Sequence, residues 1–262
     1  MGAPSSDSAR WEGRNEKKDG VRDRIWRRLD DEGLGIGPVA SRIPNFVGAD
    51  LAADLLATLP AYLDAEVVKV NPDPAQAWVR LDALRRGKTV YTPVPELTLG
   101  LPFVELDPRD LAERGIRFEA VMFSEAFVEV CRHVDFDEIP HIDIAVVGSV
   151  ATTHAGARIG KGGGFADLEF GVFHELGIVD DATTVATTVH DVQVVDDDQI
   201  DMLAHDTPLD VIATPTGLHQ TETQYPVPAG VDWSSVRADQ FANIPFLSEL
   251  RDSLTKRAAA DG

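Results

Sequence analysis

Cysteine is nearly missing from these 262 residues, since Cys131 stands alone. An intramolecular disulfide is therefore impossible, and cysteine-rich metal sites are excluded. The single thiol is expected to be a small buried hydrophobe. Cations are scarce as well: 24 Lys and Arg face 44 Asp and Glu, leaving a formal charge of −20. A surface of that sign repels nucleic acid and anionic lipid, so no nucleic-acid partner is expected. Acid-rich composition also keeps proteins hydrated in concentrated salt, where screening weakens self-repulsion. A halophilic, salt-accumulating cytoplasm is one reading, and an ordinary acidic mesophilic protein is the other. No run approaches the roughly 20 apolar residues of a membrane span. The opening MGAPSSDSARWEGRNEKK has no apolar segment for secretion. A cytoplasmic chain without a membrane partner is expected.

What is present is an alternation of helix-like and strand-like segments. Residues 1–16 are small and polar and are expected to form a flexible N-terminal arm. Val21, Ile25, Trp26 and Leu29 recur at helical spacing, with Gly33 and Gly35 as the stop. IPNFVGADLAADLLATLPAYLDA reads as a turn and an amphipathic helix with Pro60 near its end, and AEVVKV as a short strand. A helix over Ala77 to Arg86 follows, with Trp78 in the core, then a strand from Thr89 to Thr92. Residues 99–128 are irregular. IDIAVVGSVA, residues 142–151, is the clearest buried strand. ATTVATTVH and LDVIATPT are further strands, and a helix is expected from Ser234 to Arg257. Strands alternating with helices predict a three-layer α/β/α fold with a mainly parallel sheet. That domain is placed at residues 17–232, with a C-terminal helical extension over 233–262.

The segment RIGKGGGFADLEF, Arg158 to Phe170, raises the functional question. Gly160, Gly162, Gly163 and Gly164 let backbone N–H groups approach an anion without a Cβ in the way. The helix expected from Asp167 to Leu176 would turn its positive end toward the same place. Arg158 and Lys161 add cationic charge. The Walker spacing fails, because GARIGKG is one residue short and a glycine follows Lys161. The dinucleotide pattern fails too, since Phe165 stands at its third glycine. Composition alone leaves an anion nest and a ligand-free surface turn both open. Asp167 directly after the loop suits Mg2+, or is simply a first-turn acid favoured by the helix dipole, as Glu169 is.

RIGKGGGFAD resembles the R-x-G-x-G-x-G-Y-Y-D signature of 5-formyltetrahydrofolate cyclo-ligases. Lys18 and Arg22 are similar to that family's amino-terminal K-x-x-x-R pair. GKTVYTPVP resembles the strand after its second helix, and LAHDTPLDVIATP its late P-H-D-x-x-V-D-x-x-x-T segment. The likeness runs from about Lys17 to Pro215. IPNF, VKVNPD, VVGSVA, VHDVQVVD and TPT further resemble the divergent methenyltetrahydrofolate synthetase domain-containing branch and its archaeal relatives. The resemblance implies the cyclo-ligase fold and an ATP- and Mg2+-dependent closure of 5-formyltetrahydrofolate to 5,10-methenyltetrahydrofolate by phosphorylation of the formyl oxygen. It implies Arg158 and Lys161 in catalysis. It also implies Lys18, Arg22, Arg158, Gly160, Lys161, Gly162, Gly163, Gly164 and Phe165 around the ATP phosphates. Asp167 and Asp206 match its metal-associated acids, and Glu66 or Asp73 falls near its pterin-binding acid.

The pattern departs at two places. The paired aromatics of the signature are Phe165 and Ala166, and the preceding P-G-x-x-F-D segment is GSVATT, Gly148 to Thr153. These departures keep open the same chemistry on another C1-carrying pterin, and a non-catalytic nucleotide- or folate-binding regulatory protein. His190-Asp191 and His205-Asp206 read as strand-end turns rather than paired phosphohydrolase ligands. His154 is expected at the surface. Asp196, Asp197 and Asp198 read as a hydrated loop, and Asp210 as a structural acid near Asp206. The sequence sets no oligomeric state.

Overall fold

In the computed structural model, which describes residues 15–97 and 99–261, the run IDIAVVGSVA lies at the middle of the molecule. The main sheet contains β1 (Val67–Val70), β2 (Thr89–Pro93), β3 (Phe103–Leu106), β4 (Arg132–Val134) and β5 (Ile144–Val147). The short strands β6 (Ala151–Thr153), β7 (Arg158–Ile159) and β9 (Val194–Val195) form a separate three-stranded sheet. β8 (Thr184–Thr188), β10 (Val211–Ala213) and β11 (Leu218–Gln220) complete the main sheet. Its order is β11-β10-β8-β5-β1-β2-β3-β4, with β10, β8, β5, β1 and β2 mutually parallel. β3, β4 and β11 run antiparallel to their neighbours. The parallel strands thus reverse direction of winding between β1 and β5, the position beside which doubly wound sheets open a crevice.

Two apolar layers follow from the period of two in each strand. Val68, Val70, Ile144 and Val146 face one layer, with Leu56 of α2 (Ala49–Leu56), Tyr62 of α3 (Pro60–Asp64) and Leu84 of α4 (Ala77–Arg85). Tyr91, Ala145, Val147 and Ile212 face the other, with Phe170 and Phe173 of α7 (Phe165–Leu176). Burying each such large side chain contributes about 1.5–3 kcal/mol. A third core holds α1 (Glu16–Asp31) against the small sheet through Val21, Ile25, Trp26, Leu29, Ala151 and Ile159. The expected three-layer, mainly parallel architecture is therefore present.

Several sequence expectations change in detail. The arm expected over 1–16 lies, up to residue 14, outside the described residues, and Asn15 caps α1 by accepting from the Lys18 N–H at 3.1 Å. Pro60 opens α3 instead of closing a long helix, as suits a residue without an N–H. Trp78 is 43% exposed, because α4 turns Val79, Leu81 and Leu84 inward instead. The irregular segment forms β3, α5 (Pro108–Glu113) and α6 (Ser124–Val130). The single helix expected from Ser234 divides into α8 (Ala238–Asn243) and α9 (Leu247–Asp261), because Pro245 breaks the helical hydrogen-bond ladder. Cys131 is buried. Among the described residues no helix is long and apolar enough to cross a membrane.

Candidate active site

β5 ends at Val147, and at the next residue, Gly148, a Cβ would lie 2.8 Å from Asp73 Oδ2 and 3.0 Å from the Ile43 side chain, so a larger residue there would have to displace both. The chain then makes the β6–β7 hairpin, passes through Gly160 to Gly164 and enters α7. Gly164 occupies the N-cap position at φ +69°, a left-handed conformation that glycine adopts without strain, and brings no side chain to cap α7. A cavity of about 390 Å³ opens at this point, at the carboxyl ends of β1, β2 and β5. The loop residues Gly160 to Gly164 and Phe165 to Asp167 line one wall, with Lys18 and Arg22 from α1. Asn71, Asp73, Glu96 and Glu125, from the ends of β1 and β2 and from α6, line a second wall.

Every sequence-predicted phosphate and metal residue borders this one cavity. Their charges are already paired. Lys18 Nζ is bonded to Asp206, whose Oδ2 also accepts from the Leu203 N–H at 2.6 Å. Arg22 donates through Nε to the Gly160 carbonyl at 2.7 Å and through Nη1 to Asp19 at 2.6 Å. Arg158, 4% exposed, donates to the Gly148 carbonyl at 3.1 Å and to Asp167 Oδ1 at 2.6 Å. Its Nε is buried without a hydrogen-bond partner, as is Thr207 Oγ1. Lys161 Nζ lies 3.3 Å from Glu96 Oε1 and 5.9 Å from the centre of the Phe165 ring. Burial alone would raise the Asp167 carboxyl, but the Arg158 guanidinium, the Thr207 N–H and Lys18 hold it below the usual carboxylate range.

The acids outside the loop are held differently. Burial pushes the Asp73 carboxyl up, against the pull of Lys161, Arg80 and Lys69. Arg80 fixes the backbone beneath it, donating to the carbonyls of Asn71, Pro72, Asp73 and Met122. Lys69, fully buried in β1, sits 2.8 Å from Glu169 of α7, and burial raises the Glu169 carboxyl despite that partner. Sequence reasoning did not reach Lys69, Arg80, Arg42 or Glu125, because no local motif joins them to the loop.

Of the other constellations, His205-Asp206 borders the cavity, with the His205 ring 3.9 Å from Asp206 Oδ1. Glu66 is exposed at the far end of β1, so of the two acids expected near the pterin only Asp73 borders the cavity. His190 Nδ1 accepts from the Val192 N–H at 3.2 Å, a local cap. His154 is exposed, with its ring against His219 at 4.5 Å between centroids. Asp210 Oδ2 accepts from the Val185 N–H at 2.8 Å and so fastens β10 to β8 rather than orienting Asp206. Thr152 Oγ1 donates to the Ala157 carbonyl at 2.8 Å, and Thr153 Oγ1 accepts from the Ala157 N–H at 3.2 Å. Both threonines therefore serve the hairpin. Among the described residues no group of three or more His, Cys, Asp or Glu is arranged to hold a metal ion.

The family model for 5-formyltetrahydrofolate cyclo-ligases matches residues 14–215. The chain belongs to the 5-formyltetrahydrofolate cyclo-ligase family. It is 37% identical over 248 residues to a methenyltetrahydrofolate synthase domain-containing protein of Danio rerio, covering 94% of this chain and 64% of the relative. The Bos taurus protein of the same name is 38% identical, covering 89% of this chain and 62% of the relative. The chain thus spans less than two-thirds of the length of these curated relatives. Its fold is similar to the NMR structure of Aquifex aeolicus 5,10-methenyltetrahydrofolate synthetase, with a TM-score of 0.50 at 16% identity, over 80% of this chain and 95% of that one.

Proposed function

We propose that this cyclo-ligase family member carries out the ATP- and Mg2+-dependent cyclisation of 5-formyltetrahydrofolate to 5,10-methenyltetrahydrofolate. The observation that carries this reading is the glycine loop at the start of α7, framed by Lys18, Arg22, Arg158 and Lys161 at the winding reversal of the sheet. The residues fit a polyphosphate. Arg158 offers an unpartnered buried N–H, and α7 turns the positive end of its dipole toward the loop.

The fit to Mg2+ is of a limited kind. Mg2+ is usually held by one or two carboxylates together with substrate phosphates and water, not by an all-protein cage. Asp167 and Asp206 are the two carboxylates that the family resemblance assigns to the metal, and each now bonds a cation. Binding of a metal-bearing polyphosphate would transfer Arg158 and Lys18 to phosphate oxygens and release the two acids to the ion.

ATP supplies the phosphoryl group that converts the formyl oxygen into a competent leaving group. The protein's task is to place and neutralise it. Arg158 is held from behind by Gly148 and Asp167, so its orientation is set before ligand arrives. Lys161, half-buried and held by the long 3.3 Å contact to Glu96, is the cation suited to charge that develops at the transferred group. Asp73, just after β1, is the acceptor we assign to pterin N–H donors.

Mixing MgATP and 5-formyltetrahydrofolate with the protein in molar KCl, and following methenyl absorbance, tests the reading. Product formation that disappears in Asp167→Ala is expected; binding of neither substrate refutes it. A regulatory or altered-pterin role is favoured by Thr152 and Thr153, whose hydroxyls are committed to the hairpin. MgATP binding without any methenyl product is the outcome expected of that second reading.

A further inference from the structure

The family match ends at residue 215, yet the cavity is also lined by Ser235 and Arg237. Arg237 Nη2 donates to the Gly163 carbonyl at 3.1 Å, and Gln240 Nε2 donates to the same oxygen at 3.0 Å. Gln240 is 5% exposed, and its Oε1 accepts from the Arg237 N–H at 3.0 Å, so the two residues form one unit. Asp239 orients the guanidinium, with Oδ1 2.9 Å from Arg237 Nε. Ile244 and Leu247 bury themselves with Leu97 and Leu168, and the Phe165 ring packs against the same cluster. The C-terminal segment therefore grips the loop by polar and apolar contacts together. The Danio rerio relative covers 94% of the chain, so the shared region continues well past residue 215.

We infer that this segment is a working part of the anion site: Arg237 and Gln240 position the glycine loop, and Arg237 adds a cation to whatever phosphate it binds. In a trans peptide the C=O and N–H point to opposite sides. Anchoring the Gly163 carbonyl to α8 consequently turns the Gly164 N–H away from α8, and Gly164 lines the cavity. A Cβ on Gly164 would stand 3.2 Å from Gln240 Nε2, which shows how closely the anchor is seated. The phosphate half of the inference rests on the polyphosphate reading of the loop, and the positioning half does not.

The test uses the full chain with Gln240→Leu, Arg237→Gln and Arg237→Lys, each verified by thermal melting. MgATP is titrated calorimetrically at low and high KCl, and tryptic cleavage after Lys161 is timed in the ligand-free protein. Gln240→Leu removes a donor but no charge, so about tenfold weaker MgATP binding at both salt concentrations is expected. Arg237→Gln should weaken binding more at low salt than at high, with Arg237→Lys recovering the salt-dependent part. Cleavage after Lys161 should accelerate in Gln240→Leu and Arg237→Gln. Wild-type binding with unchanged affinity in both variants overturns the phosphate half. Wild-type protein that binds no MgATP refutes the polyphosphate reading itself. In that case cleavage still decides the positioning half, where an unchanged rate overturns it and faster cleavage supports it.

Discussion

The two walls of the cavity are built in opposite ways. The loop wall, Arg158 to Asp167, is contiguous in sequence and its charges are paired: Arg158 with Asp167 inside it and Lys161 with Glu96 outside it, while Lys18 and Asp206 pair beside it. The second wall is gathered from the ends of β1 and β2 and from α6, and its acid, Asp73, is pushed up by burial instead of being held down by a contact ion pair. One wall is thus prepared to exchange partners with a polyphosphate, and the other to accept hydrogen bonds from a neutral ring system. On the proposed function, nucleotide recognition and pterin recognition would then fall to different residues of one cavity.

The comparison breaks most visibly at Arg158. Arg158→Ala leaves Asp167 buried without its charge partner, which is expected to cost about 3–5 kcal/mol in urea unfolding and to abolish MgATP binding. The pair also sets a pH dependence. Because the folded Asp167 carboxyl is depressed, its contribution is complete above about pH 4, its ordinary range, and is lost as pH falls further. The stability difference between wild type and Asp167→Asn should therefore be constant at neutral pH and shrink under acid.

Smaller effects sharpen the division. Lys161→Ala removes a partly exposed cation, so stability should change by no more than ~0.5 kcal/mol while MgATP affinity falls about tenfold. Asp73→Asn should do the reverse, raising KM for the pterin about tenfold with MgATP affinity unchanged. Equal loss of both affinities in either variant would dissolve the distinction between the walls. The smallest effect is at Cys131, whose thiol burial pushes up to about 11. At pH 8 only about 0.1% is thiolate, so iodoacetamide should label it slowly and without loss of MgATP binding.

What could be read from the sequence follows the same contrast. Arg158 to Asp167 lies in one stretch, and Lys18 and Arg22 stand one helical turn apart, so a family signature can reach them even though their spacing alone leaves a ligand-free turn and a solvated helix face open. Arg237 and Gln240 carry no such pattern. In sequence they read as a helix start, and only tertiary packing brings them to Gly163. Lys69 is equally hidden, because a lysine within a strand reads as an outward-facing residue until Glu169 is brought across from α7. Pro245 was the overlooked local signal, and it is what lets α8 turn onto the loop while α9 continues along the body.

The most direct measurement is a calorimetric titration of the wild-type protein with MgATP and, in parallel, with adenosine, repeated on Arg158→Gln. MgATP binding that adenosine does not reproduce and that Arg158→Gln loses is the expected result. Equal affinity for adenosine and MgATP, or full MgATP affinity without Arg158, would contradict a phosphate cradle at Gly160 to Gly164.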